Sequence, residues 1–181
     1  YQKANGQEKQ KLGTELENNY DYGKIFDRSM GYIQRSEYTK AIDELTDLLE
    51  DRSVKGNPRA YAYCLRGRAY YGLNRMHEAL EDLSEADNTT HDNRTYPIWR
   101  SHQYEGLIYY DEGRYDDAVR ELETAWNYSD KQDRALADDL RTARMAAERA
   151  KNPPAEEPHH GRGVDWTQVI TDVIIHSMDK G

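Results

Sequence analysis

The stretch RGRAYYGLNRMHEAL, residues 66–80, decides the fold of this chain. It contains two helical half-patterns joined by a short Leu73-Asn74-Arg75 turn, which is typical of a helical hairpin. A hairpin that stands alone and a hairpin that recurs along the chain indicate different kinds of protein. The first question is therefore whether the pattern occurs again.

Four positions of this pattern occur three times along the chain, and all four have the same two spacings, as from residue 32 to 70 and from 70 to 109. We call each set of matching residues a column. Four columns that share both offsets are not a chance match, and self-similarity at a period of roughly 20–50 residues marks a stacked repeat architecture. The columns are Tyr32, Tyr70 and Tyr109; Tyr38, Met76 and Tyr115; Ala41, Ala79 and Ala118; and Leu45, Leu83 and Leu122.

Small residues occupy the positions where paired helices approach each other. The alanine column lies early in the second helix of each copy, where a larger side chain would push the helices apart. Gly67 and Gly106 have the same role in the first helix, at a cost in helix propensity. The tyrosine and leucine columns fill the space between neighbouring hairpins. Asn74 and Gly113 lie in the turns, and Gly113 can take the left-handed conformation that ends a helix.

These residues resemble the tetratricopeptide repeat, whose pattern runs from glycine and tyrosine to alanine, an aromatic residue or leucine, and alanine. The first copy is degenerate, because Ser29 replaces the glycine and Leu48 the last alanine. The resemblance covers roughly residues 24–128. The second copy matches with Gly67, Tyr70, Ala79, Leu83 and Ala86, and the third with Gly106, Tyr109, Gly113, Tyr115, Ala118, Leu122 and Ala125.

One departure from the family concerns the period, which is about 34 residues there. Here each copy is longer, since position 32 recurs at 70 and again at 109. The surplus falls between Leu48 and Tyr63 and between Ala86 and His102, where one hairpin passes into the next. We therefore expect longer second helices or looser connections. The predicted helices lie near residues 24–35, 38–52, 58–73, 76–88, 96–112, 115–128 and 132–151.

The pattern predicts an all-α fold: an α-solenoid of three helix-turn-helix repeats with a polar C-terminal capping helix and a separate apolar C-terminal segment. We expect four parts in the chain. They are a polar N-terminal extension (1–23), the repeat domain with its capping helix (24–151), a Pro- and Gly-containing linker (152–163) and an apolar docking segment (164–181).

The family resemblance also implies a ligand-binding groove, since its ligands lie along a concave face made by the first helices. A family clamp for the terminal carboxylate of chaperone tails uses Lys and Asn, and the matching positions here lack them, so we do not predict chaperone-tail binding. The alternative interpretation is that the groove residues only pack the inner helices. The predicted groove residues are Phe26, Met30, Ile33, Tyr61, Cys64, Arg68, Tyr71, Arg100, Gln103, Leu107 and Tyr110.

The docking segment VDWTQVITDVIIHSMDKG is the most apolar stretch of a hydrophilic chain. Asp165 is a suitable N-cap with Gln168 three residues later, which favours a helix; the many β-branched residues favour a strand. We prefer the helix, because a tetratricopeptide groove presents helix surfaces and no sheet edge. One helical face would carry Trp166, Val169, Ile170, Val173, Ile174 and Met178.

Composition excludes several classes of function. A formal net charge of −9 disfavours nucleic-acid partners, which need clustered Lys and Arg. No apolar run approaches the ~18 residues of a membrane span. His159-His160 lacks a third ligand at helical spacing, and no nucleophile–base pair or phosphate-binding loop occurs. We predict no metal, no cofactor and no catalytic residue, and Cys64 as a packing residue.

We interpret the chain as a non-enzymatic scaffold that binds an apolar helical or extended peptide in its groove. The docking segment is such a peptide, and it could bind in its own groove or in that of a neighbouring subunit, which would produce self-association. The alternative is a structural subunit that the docking segment anchors in a larger complex while the groove is not used.

Overall fold

The computed structural model describes residues 21–153. Within them there are seven α-helices and no strand, which confirms the predicted all-α class. The N-terminal extension up to residue 20 and the docking segment lie outside the described residues. The helices are α1 (Tyr22–Gln34), α2 (Tyr38–Glu50), α3 (Gly56–Gly72), α4 (Met76–Asn88), α5 (Arg100–Asp111), α6 (Tyr115–Tyr128) and α7 (Arg134–Lys151).

The largest difference from the predicted helices is the start of α5, at Arg100 rather than at residue 96. Pro97 explains the delay, since a proline disfavours helical geometry in the residue before it. A turn precedes the helix instead, in which the backbone N–H of Arg100 donates to the carbonyl of Pro97 at 3.2 Å. The surplus between the second and third repeats is thus a connection, residues 89–99, and not additional helix.

The three hairpin turns share one geometry. Each contains one residue with positive φ: Ser36 (60°), Asn74 (60°) and Gly113 (75°). These positions follow the same two steps as the tyrosine column. The backbone N–H of the residue that follows donates to the carbonyl of the column tyrosine at 2.8–2.9 Å, and this hydrogen bond caps the C-terminus of the first helix. The donor and acceptor pairs are Glu37 and Tyr32, Arg75 and Tyr70, and Arg114 and Tyr109.

In the second and third hairpins, the two helices pack tightly against each other at the predicted glycine column. A Cβ on Gly67 would lie 2.9 Å from Leu83 Cγ and 3.1 Å from the Ala79 carbonyl oxygen. Both partners are completely buried. The third hairpin repeats the contact with Gly106, Leu122 Cγ at 2.7 Å and the Ala118 carbonyl oxygen at 3.2 Å. Only glycine fits between these helices.

The hairpins stack in two ways: the first helices lie against one another, since α3 contacts both α1 and α5, and the second helix of each hairpin contacts the first helix of the next, α2 with α3 and α4 with α5. The capping helix α7 completes the stack, because its apolar side chains cluster with those of α6. No helix among residues 21–153 is both long and apolar enough to span a membrane. The chain divides into two compact units, residues 1–148 and residues 149–181. Of the second unit, the structure describes only the last residues of α7 and the two residues that follow them.

Gly106→Ala tests the close helix contact. The added methyl group would overlap Leu122, so the free energy of unfolding should fall by about 1–3 kcal/mol, although alanine is the better helix former. Gly23→Ala is the matched control, because its Cβ would come no closer than 3.5 Å to Asp21 Oδ1. Urea denaturation of both variants measures the difference, and equal stabilities would contradict the packing described above.

Candidate peptide-binding face of the first helices

The predicted groove residues all lie on α1, α3 and α5, and they divide into two groups by exposure. The buried group is Phe26, Ile33, Tyr61, Cys64 and Gln103. The half-buried group is Met30, Arg68, Tyr71, Arg100, Leu107 and Tyr110. Side chains of the first group pack the inner helices, so a ligand can contact only the second group without a rearrangement.

Tyr96, from the connection between α4 and α5, packs over one end of this face. Its ring stacks on Tyr61, with centroids 4.8 Å apart and an interplanar angle of 7°. It also meets Phe26 edge-on at 5.1 Å, and Phe26 contacts Tyr61 in the same way at 5.0 Å. Phe26 and Tyr61 are only 3% and 7% exposed. Three rings at these separations form a small aromatic core.

Polar bonds fix the connection that carries Tyr96. The backbone N–H of Asp92 donates to Asn57 Oδ1 at 2.7 Å, and Asn57 Nδ2 donates to Asp92 Oδ2 at 3.0 Å. Asn93 Oδ1 accepts from the backbone N–H of Trp99 at 2.7 Å. Ile98, which belongs to the connection, is fully buried and anchors it in the core. The surplus residues of the repeat therefore hold Tyr96 against the face.

Cys64 lies in the covered region of the face. It is 2% exposed, and burial raises the pKa of its thiol to about 12. The same cause raises the pKa of the neighbouring Tyr61 to about 12. A thiol in this environment stays protonated at physiological pH and does not act as a nucleophile. Its burial agrees with the packing role predicted from the sequence.

Arg68 marks the uncovered part of the face. Its guanidinium lies 5.5 Å from the ring centroid of Tyr104, and Nη1 lies 3.5 Å from Met30 Sδ. No ion pair joins Arg68 to another residue between 21 and 153. A cation held over an aromatic ring and lacking an acidic partner in this part of the chain is available to an anionic or carbonyl group of a ligand.

Tyr71 connects the second and third hairpins beside Arg68. Its hydroxyl donates to Asp111 Oδ2 at 3.0 Å, and its ring lies 5.7 Å from that of Tyr104. Burial, together with the bond to Asp111, raises the pKa of Tyr71 to about 12. Leu107 and Tyr110 follow Tyr104 at three-residue intervals on α5, which is the spacing of one helical face.

We call these half-buried side chains the open face: Met30, Arg68, Tyr71, Tyr104, Leu107 and Tyr110. Tyr104, and Asp111, which accepts the hydrogen bond from Tyr71, were not among the residues predicted from the sequence. The spacing of Tyr104 to Leu107 could have identified Tyr104. Tyr96 could not be identified in this way, because the repeat pattern stops at the surplus residues.

Arg100 and Gln103 fasten α5 to the start of α7 instead of joining the open face. Arg100 Nη2 pairs with Asp133 Oδ2 at 2.7 Å, and Arg100 Nη1 donates to Gln103 Oε1 at 2.9 Å. Gln103 Nε2 donates to Asp139 Oδ2 at 2.8 Å. Arg100 also borders a cavity of about 630 Å³ beside Trp99. The polar groups of Arg100 and Gln103, which were predicted to line the groove, are therefore engaged in bonds within the chain.

Comparisons with known proteins identify the fold. No family model matches the chain, and no curated protein matches it. Among solved structures, the chain is similar to the crystal structure of the Sgt2 TPR domain from Aspergillus fumigatus, with a TM-score of 0.60 and 22% identity. The match covers 79% of this chain and 91% of that one. The chain therefore has the tetratricopeptide-repeat fold that its sequence columns predict.

Tyr96→Ala tests whether the connection between α4 and α5 is part of the core. The variant loses two aromatic contacts and exposes Phe26 and Tyr61, so the free energy of unfolding should fall by about 2–4 kcal/mol. Met145→Ala is the control, since Met145 is 53% exposed and its loss should cost no more than about 0.5 kcal/mol. Thermal and urea denaturation would contradict this account if the two variants were equally stable.

Proposed function

We propose that the chain is a non-enzymatic protein-binding scaffold whose open face holds an apolar peptide. The observation that carries the proposal is the composition of that face: apolar and aromatic side chains accompany one cation, Arg68, which contacts Met30 and Tyr104 and has no ion pair within residues 21–153. Tyr and Arg are enriched among the residues that dominate binding energy. A few polar groups in an apolar surface orient a ligand.

The fold supports the proposal in a second way. In the tetratricopeptide repeats that this sequence resembles, ligands lie along the first helices of the hairpins. The open face lies on α1, α3 and α5, which are those helices. Because the Tyr96 connection covers part of the predicted groove, the proposed site is shorter than the groove inferred from the sequence.

We propose the docking segment, residues 164–181, as the peptide that occupies the open face. As the helix expected from its sequence, it would present an apolar face from Trp166 to Met178, and its acidic residues occur at Asp165, Asp172 and Asp179. One of these carboxylates would meet Arg68 while the apolar side chains pack on Leu107 and the tyrosines. The segment binds in the same chain or in a neighbouring subunit.

The expected affinity of a free peptide is modest. Burying five or six such side chains gains roughly 8–18 kcal/mol at about 1.5–3 kcal/mol each, and ordering a dozen backbone residues costs roughly 12–24 kcal/mol at about 1–2 kcal/mol each. The two ranges overlap, so little net free energy is left for a free peptide. Tethering then decides the outcome, and a linker of twelve residues spans roughly 17–21 Å.

Calorimetric titration tests the proposal with a synthetic peptide of residues 164–179 and the chain ending at Asn152. We expect saturable binding, weakened at least tenfold by Leu107→Ala and by Arg68→Gln, since each removes a central contact. The matched controls are Met145→Ala, at a residue 53% exposed on α7, and Arg141→Gln, whose side chain is 72% exposed. Both controls should bind as the parent chain does.

Circular dichroism of each protein shows that it is folded before the titration. Because the free peptide is expected to bind modestly, the titration extends to about 1 mM peptide, and a folded chain that takes up none at that concentration would contradict the proposed occupant. The docking segment would then be an anchor into a larger complex, the alternative role inferred from the sequence. Equal weakening by the open-face variants and the controls would also contradict the proposed site.

A further inference from the structure

In each of the first two hairpins an ion pair joins the two helices, and the two pairs lie at matching positions of the repeat. Arg28 pairs with Glu44 in the first hairpin, and Arg66 pairs with Asp82 in the second, through two bonds of 2.7 and 2.8 Å. Both members of the pair correspond across one repeat, residue 28 to residue 66 and residue 44 to residue 82. The Arg66 and Asp82 side chains are only 16% and 8% exposed, so the arginine neutralises a carboxylate that is held away from water.

The third hairpin has two acids at this column. The spacing between the second and third repeats is that from Tyr70 to Tyr109. With this spacing Arg66 corresponds to Glu105, and Asp82 corresponds to Glu121. Glu105 on α5 and Glu121 on α6 are 12% and 19% exposed. The arginine of the first two hairpins is therefore absent at the point where two carboxylates of the third lie close together.

His102 lies between these carboxylates and a third one. Its Nδ1 is 3.1 Å from Glu121 Oε2, 3.5 Å from Glu105 Oε2 and 3.4 Å from Asp87 Oδ2. Nδ1 carries at most one proton, so it can donate to only one of the three oxygens. Two carboxylates therefore approach the imidazole nitrogen without receiving a hydrogen from it.

The cluster is rich in acidic groups and poor in cations. Within residues 21–153, His102 is the only basic side chain in an ion pair with Asp87 or Glu105. Glu121 has a second basic partner, since Arg120 Nε lies 3.5 Å from its Oε1. Asp87 and Glu105 are therefore the carboxyl groups that a bound cation would stabilise.

We propose that Asp87, His102 and Glu105 bind a divalent transition-metal ion, with Zn²⁺ as the ion that fits best. The three ligand atoms lie within 4.8 Å of one another. A tetrahedral Zn²⁺ with bonds of about 2.0–2.1 Å requires ligand atoms about 3.3–3.4 Å apart. The separations of 3.4 and 3.5 Å from His102 to the two carboxylates are close to that requirement.

The surroundings support a bound ion. Ser101 Oγ donates to Asp87 Oδ1, the kind of outer bond that orients a metal ligand. A cavity of about 270 Å³ opens beside Asp87 and His102, and His91 and Trp99 also line it. The cavity gives an ion a route to Asp87 and His102 and leaves room for water at the fourth position. The ion would join α4 to α5 and neutralise Glu105, which stands where the second hairpin has Arg66.

Equilibrium dialysis of the full chain against Zn²⁺, after removal of metal by a chelator, tests the proposal. We expect one Zn²⁺ per chain and a higher unfolding temperature with the metal than without it. Glu105→Gln and His102→Asn should weaken binding by more than the roughly 10–100-fold that loss of an outer bond costs. Glu81→Gln and His77→Asn are matched controls, since that pair on α4 is 64% and 84% exposed, and both should bind as the parent chain does.

Glu105→Gln keeps the shape of the side chain and removes one excess charge, so circular dichroism should show a folded protein. Replacement by Co²⁺ should produce the intense visible absorption of a four-coordinate ion in the parent chain and not in Glu105→Gln. The proposal is overturned if the parent chain takes up no stoichiometric Zn²⁺. It is equally overturned if folded Glu105→Gln and His102→Asn bind the metal as the controls do, as they would if His159-His160 held it.

Discussion

The contact between a glycine of the first helix and a leucine of the second is the constraint on which the stack depends. At Gly67 and Gly106 the helices are so close that an added methyl group would overlap the leucine. This approach brings the alanine and leucine columns into the core and leaves the first helices side by side. The face proposed for peptide binding exists because these helices are adjacent.

The longer repeat period has a functional consequence. The surplus residues between α4 and α5 place Tyr96 over Phe26 and Tyr61 and remove one end of the inferred groove from solvent. The proposed ligand site is therefore confined to the side chains around Arg68. A groove copied from the family without this connection would include residues that are buried in this protein.

Sequence reasoning predicted the parts of the molecule that repeat. The helices, the turn at Gly113 and the buried Cys64 follow from column spacing and helical periodicity, because local pattern determines them. The contact of Tyr96 with Phe26 joins residues far apart in sequence and depends on the path of one connection. The cluster around His102 draws side chains from α4, α5 and α6, so no linear spacing reveals it, although the change from Arg66 to Glu105 within one column is visible in the sequence.

Photo-crosslinking from the docking segment tests the central claim most directly, that the open face holds this segment. A photoreactive phenylalanine analogue replaces Trp166 in the full chain, and mass spectrometry maps the residues that it attaches to. The account predicts attachment to α3 around Arg68 and Tyr71 and to α5 around Leu107 and Tyr110, with the mass of the product separating binding in the same chain from binding in a neighbour. Attachment only to other helices, or none at all, would contradict it.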